Sequence, residues 1–503
     1  MSKNFSRRDF LKLASITSAG LALSACGIKE TELPTATMLP TNTPIPIMTS
    51  TVTPTPIPTL AGLSVSVPDP RYTNLELFDL KKSVAPIPQF VNAMKMAEIT
   101  ITNEQVAQGL TYRESKGKDG EPFIVGIYSI SEDQSLHGDY PLLIATQINK
   151  GQFVWQPTTL KNLADKRGLN IGVTIAISYV QSWNTEHSKM EPMVANNFNQ
   201  FQIGYDLMWW NPDFPKIGIR PSRYSFNFEQ PDLAVEFAKR YKMQLEGTGL
   251  INQIPTFLPP WLTSLNSKDP NYKNELLSIM EDDIKTTVKR YPMVVNWTVI
   301  SELENPYYKN IWTATFGLND LAWLKQVFQW AYESNPNAKL SYSDFDIEFG
   351  GAKADKVFSI IKALKDMDTP IHTVTFQMHL NGKDFANDDL QAKIKALKTE
   401  IIRYKNIGVD VIIGEWDIDM GGVSDNQGKR WRTQTEIYHS LTSTLLEAGV
   451  TNIDFFGPPD RLNWKEQPQF GSGKNADPTL FLDDYSSKPA YFAVLGALLE
   501  TQK

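Results

Sequence analysis

From about Thr158 onward, short runs rich in β-branched and aromatic residues alternate eight times with segments of helical periodicity. The strand-like runs are NIGVTIAI (170–177), FQIGYDL (201–207), MQLEGTGLI (243–251), VNWTVIS (295–301), KLSYSD (339–344), TVTFQMHL (373–380), VDVIIGEWDI (409–418) and NIDFFG (452–457). Between them lie amphipathic stretches such as PDLAVEFAKRYKM, LAWLKQVFQWAYESN, KVFSIIKALKDM and LQAKIKALKTEIIRYKN. A strand can pair in parallel with the next only through a crossover, and a helix that covers the sheet supplies one. Eight such units predict an α/β chain closed as a (β/α)8 TIM barrel over 158–503. An open doubly wound sheet is the alternative, disfavoured because no glycine-rich phosphate turn follows the first run.

The rest of the chain divides differently. Residues 6–12 read SRRDFLK, a twin-arginine pattern, and the apolar run LASITSAGLALSA follows. That run is shorter than the roughly 20 residues a membrane span requires, and it suits a signal-peptide core. It ends at Leu23-Ser24-Ala25-Cys26, which resembles a bacterial lipobox, and Cys26 is the one cysteine of the 503 residues. Residues 1–25 are therefore expected to be an export signal, with Cys26 as the site of lipidation. Residues 26–62 are Thr- and Pro-rich, lack hydrophobic periodicity and predict a semi-stiff polyproline stalk. Residues 63–157 combine a helical stretch near PIPQFVNAMKMA with apolar runs such as FIVGIYSI and LLIATQI, a small α+β extension with no visible chemistry. The expectation is an exported domain held off a membrane by a lipid anchor.

Charge and composition exclude several classes. With 49 basic and 56 acidic residues the net charge is −7, which provides no basic excess to neutralise a nucleic-acid backbone. A single cysteine excludes a disulfide framework and cysteine-based metal sites. The five histidines show no metal-ligand spacing, so no metal is expected, and no protein partner is evident.

Catalytic groups of a barrel sit at the carboxyl ends of its strands. Glu302 ends the fourth run and Glu415 lies near the end of the seventh. Strands four and seven face each other across a barrel mouth. Two carboxyls about 5 Å apart there are what a retaining glycosidase needs, one as proton donor and one as nucleophile.

Five segments then carry a family resemblance. WTVISE (297–302) resembles W-D-V-V-N-E, the acid/base motif of family-10 glycoside hydrolases, the endo-β-1,4-xylanase family. IIGEWDI (412–418) is similar to that family's nucleophile motif I-T-E-L-D-I, and FQMHL (376–380) to its L-Q-S-H-L. FGPPDRLNW (456–464) resembles W-G-V-T-D-x-x-S-W, and TLFLDDYSSKPAY (479–491) the terminal P-L-L-F-D-x-x-Y-x-P-K-P-A-Y. The resemblance runs in order from about Thr158 to Leu499. It implies Glu302 as general acid and base, and Glu415 as nucleophile oriented by His379. Gln377 and Trp464 would bind substrate, and no metal or organic cofactor would be needed.

Other family positions are not kept. Ser301 stands where the family has Asn. QIGYDLMW (202–209) replaces T-P-E-N-x-M-K-W, and Asn252 and Gln253 replace Trp and His. Ser301, Trp209, Asn252 and Gln253 are accordingly expected to line a rebuilt sugar site, with Asp206, Trp210, Trp261 and Arg461 as further contacts. The expected activity is a retaining endo-β-1,4-glycanase of xylanase type acting on a polysaccharide or oligosaccharide. The alternatives are a non-catalytic glycan-binding lipoprotein, or a glycosidase or transglycosylase acting on another β-glycan.

Overall fold

The computed structural model describes residues 159–180, 189–211, 218–303, 305–385, 390–468 and 470–500, together with strand residues 77–78, 110–116, 122–130, 138–149 and 152–157. The export signal, Cys26, the stalk and the helical stretch near 86–97 lie outside the described residues. Among the described residues no helix is long and apolar enough to cross a membrane.

Strands β1 (Leu77–Phe78), β2 (Leu110–Lys116), β3 (Pro122–Ile130), β4 (Gly138–Asn149) and β5 (Gln152–Pro157) pair antiparallel in the order β1-β5-β4-β3-β2. The described strands of the extension thus form one antiparallel sheet, and the helical part of the expected α+β unit lies outside the described residues. The eight runs that follow form β6 (Asn170–Thr174), β7 (Gln200–Ile203), β8 (Gln244–Thr248), β9 (Val294–Ser301), β10 (Lys339–Phe345), β11 (Thr373–Asn381), β12 (Asp410–Asp419) and β13 (Asn452–Phe456). All pair in parallel, and β13 closes on β6 to complete the barrel.

Local sequence explains the helices outside the barrel. Helix Leu160–Arg167 starts at a capping box between Thr159 and Asn162, with Gly168 at φ 66° as its C-cap. Helix Glu229–Arg240 carries acids in its first turn and bases in its last, which complements its dipole, and buries Ala234, Val235, Phe237 and Ala238 on one stripe. The last helix, Pro489–Glu500, is apolar on nearly every side. Its neighbours are the helices Leu160–Arg167 and Gln427–Glu447 on one hand and β4 on the other, so a solvent-facing polar stripe has no place. Strand β4 of the extension therefore packs against this last helix of the chain's barrel.

Barrel interiors are commonly filled by branched apolar side chains. Here hydrogen-bonded amides and hydroxyls fill much of the lumen. Thr174 donates to Gln202 (2.7 Å), Gln200 to Asn452 and Asp454 (2.7 Å each), Asn452 to Glu246 (2.5 Å) and Thr373 to Asn296 (3.0 Å), while Ser341 and Thr375 pair at 2.7 Å. Glu246 and Asp454 are buried together. Burial, then mutual repulsion, pushes the Glu246 carboxyl well up; burial also raises Asp454, to about 7. The apolar core lies outside the strands, as in the contacts of Phe201 with Phe237 and Phe376 with Tyr404.

Candidate active site

Glu415 reaches the mouth through an irregularity in β12. Gln377 of β11 pairs with Gly414 and His379 with Asp417, so two residues of β12, Glu415 and Trp416, oppose the single Met378. This bulge resets the in-out alternation. Gly414 faces inward, where a Cβ would meet Thr375 Cγ2 at 2.8 Å and Gln202 Nε2 at 3.4 Å. Trp416 faces outward, 5.6 Å from Phe455 and 4.8 Å from Tyr438 of helix Gln427–Glu447. Glu415 between them has φ 68°, a left-handed conformation rare for a residue with a side chain, and turns inward. Unbroken alternation would have aimed it at the helices.

The carboxylate of Glu415 is tied into a network spanning strands. His379 Nε2 lies 3.2 Å from Glu415 Oε2, and His379 Nδ1 lies 3.0 Å from Oδ1 of the buried Asp417. Asp417 Oδ2 accepts from Trp464 Nε1 (2.8 Å) and Asn463 Nδ2 (3.1 Å). Rings of Phe456 and Trp464 stand edge-on to His379 at 5.1 Å each. Burial by itself would lower the His379 value. The charge of Asp417 and the hydrogen bonds to Asp417 and Glu415 outweigh it and raise it to about 9. His379 is therefore an imidazolium at neutral pH, which donates to both carboxylates. Burial works to raise Asp417, but the facing His379 charge holds its carboxyl below the ordinary range.

Glu302 follows the last residue of β9 and also adopts a left-handed backbone, φ 50°. Its N–H donates to Ser343 O of β10 (3.0 Å), and the next N–H, of Leu303, donates to Tyr342 Oη (3.1 Å). Tyr342 in turn donates to Asp344, whose other oxygen pairs with Lys353 at 2.6 Å. Its buried carboxylate accepts from Asn305 Nδ2 (2.6 Å) and Tyr308 Oη (3.1 Å), both on Oε2. Non-glycine residues at positive φ cost of order 1–3 kcal/mol and gather at functional sites. Both glutamates singled out by their strand-end positions have this geometry.

The other expected site residues divide into two groups. Gln377 is inward and donates to Ser343 Oγ (3.1 Å), two residues from His379 on the same face. Ser301 accepts from Gln253 Nε2 (2.7 Å), which brings that pair beside Glu302. Trp464 stands against His379, as above. Trp209 is the correction: its ring is fully enclosed, its N–H donates to Leu250 O, and it packs on Trp312 and under Arg220. An enclosed indole with its one donor engaged is core, and it presents no face to a sugar. Trp261 belongs to the same cluster, donating to Arg220 O. Asn252 is turned into its own loop, where it accepts from Ile254 N, and its carbonyl takes the Trp312 N–H. Asp206 accepts the N–H of Ile177 on both oxygens, and Arg461 bonds Tyr485. Of the terminal motif, Lys488 is fully buried and pairs with both oxygens of Asp460, an ion pair that fastens the C-terminal segment to the loop after β13.

Asp417, Asn463, Asn305 and Tyr308 were not singled out from the sequence. Asp417 and Asn463 stood within quoted motifs, and the former is two strand residues from Glu415. Asn305 and Tyr308 lie in an aperiodic loop that gives no such signal. Among the described residues no group of three His, Cys, Asp or Glu side chains is arranged to hold a metal ion.

Residues 159–497 match the sequence model of glycosyl hydrolase family 10. Endo-1,4-beta-xylanase B of Thermotoga neapolitana is 30% identical over 358 residues, covering 69% of this chain and 94% of that protein. Exoglucanase XynX of Acetivibrio thermocellus is 27% identical over 290 residues, 55% of this chain and 25% of that protein. Among solved structures, xylanase 10B from Thermotoga petrophila RKU-1 in complex with xylobiose is similar with a TM-score of 0.59 and 28% identity, covering 68% of this chain and 98% of that one.

Proposed function

The chain belongs to glycosyl hydrolase family 10, and from that premise we propose that it cleaves internal β-1,4 linkages of a xylan-type polysaccharide with retention at the anomeric carbon. The observation that carries the assignment of roles is the contrast in how the two glutamates are held. Glu415 meets His379 at Oε2, which leaves Oε1 as the atom to attack. In the first step Oε1 bonds to the anomeric carbon as the bond to the leaving oxygen breaks, and the Glu302 carboxyl gives that oxygen its proton. In the second, Glu302 takes a proton from water. The water oxygen bonds to the anomeric carbon and the ester to Glu415 breaks, its negative charge returning to the carboxylate beside His379. Two inversions give net retention.

A dinitrophenyl 2-deoxy-2-fluoro-xylobioside tests this, because the fluorine slows both steps while the activated leaving group restores the first. A stable glycosyl ester on Glu415, found by peptide mass mapping, is the expected outcome. Continued turnover with the ester on another residue, or none at all, would overturn the roles. A pure glycan receptor would leave the carboxylate unmodified.

The address of the domain is a proposal as well. Arg7 and Arg8, the apolar run after them and Cys26 support twin-arginine export and lipidation, and the Thr/Pro stalk would hold the barrel clear of a membrane surface. Partition of the full-length protein into a detergent phase, lost in Cys26→Ala, is the expected result.

A further inference from the structure

Helix Ala352–Asp366 follows β10, and Gly350 and Gly351, at φ 80° and 99°, make the turn that leads into it. Lys353 stands in the first turn of this helix. A cation there meets the positive end of the helix dipole, a place that disfavours it. What offsets this is Asp344 near the end of β10, fully buried, with Oδ1 2.6 Å from Lys353 Nζ. The ammonium also donates to Phe345 O (2.6 Å) and stands 3.1 Å from the centroid of the Phe345 ring. A lysine has three N–H donors, and these three contacts match them. Burial pushes the Asp344 carboxyl up to about 6; Lys353 works against this, and the charge of Glu302 adds to it.

The charge on Asp344 sets the direction of a chain of hydrogen bonds. A carboxylate only accepts, so Tyr342 donates to it (2.5 Å), and the phenolic oxygen is left to accept from the Leu303 N–H (3.1 Å). Leu303 is the residue after Glu302, whose own N–H is held by Ser343 O (3.0 Å) and whose φ is 50°. Two bonds to β10 thus bracket the Glu302 α-carbon in a conformation that a residue with a side chain disfavours. A protonated Asp344 could donate to Tyr342 instead and break this order. We propose that Lys353 is a positioning residue for the acid/base: by holding Asp344 it orders the Tyr342 hydroxyl, fixes the Leu303 N–H and keeps the Glu302 carboxyl aimed at the leaving oxygen. This role rests on the assignment of Glu302 as proton donor made above.

The test measures kcat and KM of the full-length protein on xylan, which needs a proton at the leaving oxygen, and on an activated dinitrophenyl xylobioside, whose first step needs none. Lys353→Met keeps most of the side chain and removes its charge. It should lower kcat on xylan by roughly ten- to a hundredfold, the scale set by a small misplacement of a reacting group, with KM nearly unchanged. The burst rate on the dinitrophenyl substrate should stay at the wild-type level. Lys353→Arg, which keeps the cation, should recover most of the loss. Tyr342→Phe removes only the linking hydroxyl and should show the same split between substrates. Added to Lys353→Met it should cost little more, because both cut one chain. It also carries the test should Lys353→Met fail to fold. Equal losses on both substrates, a change in KM alone, no loss, a loss that Lys353→Arg does not reduce, or losses that add in the double variant would overturn the positioning role. Glu302→Ala is the reference. If it shows the split and Lys353→Met does not, the positioning role alone falls; if Glu302→Ala shows none, the acid/base assignment falls and this role with it.

Discussion

The two glutamates of the mouth share a backbone conformation and differ in what holds their carboxylates. Glu415 is braced across the barrel wall: its partner His379 comes from β11, and Asp417, which braces His379, is itself held by Trp464 and Asn463 from beyond β13. Glu302 has its backbone fastened to β10, but its carboxylate is held by Asn305 and Tyr308, three and six residues along its own loop. Cross-strand bracing fixes an atom that must sit on one line of attack. A clasp drawn from its own loop holds an acid that must first give a proton to a sugar oxygen and then take one from water. The difference fits a nucleophile that must be pre-placed and an acid/base that must serve two partners.

The largest expected effect separates the two by leaving group. Glu415→Ala should reduce turnover by about 10⁵-fold or more whatever the aglycone, since no covalent intermediate can form. Glu302→Ala should cost about 10³- to 10⁴-fold on xylan, where the leaving oxygen needs a proton. On a dinitrophenyl xylobioside, whose leaving group departs without one, the first step should be nearly unimpaired and only the second slowed. Steady-state and burst kinetics on both substrates would check this; equal losses on both by each variant would erase the distinction.

The bracing network gives the next effect. Asp417→Asn removes the charge that keeps His379 protonated, and should lower kcat by about a hundredfold. The pH dependence follows from His379, whose value in the folded protein is raised to about 9 from an ordinary 6.5. Its contribution to stability is complete below about pH 6.5 and is lost as pH rises through 9, amounting to of order 3 kcal/mol. The wild type should therefore lose denaturation resistance over that window, and Asp417→Asn should flatten the slope and move the alkaline limb of kcat downward. Denaturant midpoints and rate profiles at pH 6, 7.5 and 9 would measure both; parallel curves would remove the imidazolium from the account.

How much of this the sequence revealed depends on what kind of signal each feature leaves. The eight strands were legible because a repeated alternation of two periodicities is hard to produce otherwise, and both glutamates were found by their place at strand ends and in motifs. The direction of Glu415 was not legible. Counting alternate residues along VIIGEWDI puts Gly414 and Trp416 on one face and Glu415 on the other, and only the two-for-one opposition of β12 to Met378 reverses that. Trp209 misled because an indole suits a sugar platform and a core equally, and its engaged N–H is a fact of three dimensions. The extension's sheet was half visible, as apolar runs without a pairing order.

The bulge can be tested through Gly414. A Cβ there would come within 2.8 Å of Thr375 Cγ2, a buried methyl on a β-branched side chain with little freedom to yield. Gly414→Ala should cost about 1–3 kcal/mol of stability by overpacking, and should lower kcat through displaced Glu415 while leaving Glu302-dependent proton transfer to good and poor leaving groups in its wild-type proportion. Calorimetry with a leaving-group series would show this; an altered proportion would mean that the strain reaches across to β9.

The smallest effect lies on the loop side. Tyr308→Phe deletes one hydrogen bond of 3.1 Å to Glu302 Oε2 and leaves the ring in place. An ordinary hydrogen bond is worth about 0.5–1.5 kcal/mol net. Asn305 Nδ2 at 2.6 Å still holds the same oxygen, so the loss in kcat on xylan should be tenfold or less. The effect should vanish on the dinitrophenyl substrate in the first step, where Glu302 is idle. Were Tyr308→Phe instead as damaging as Asp417→Asn, and on both substrates, the loop would be bracing the site as rigidly as the strands do, and the contrast between the two glutamates would disappear.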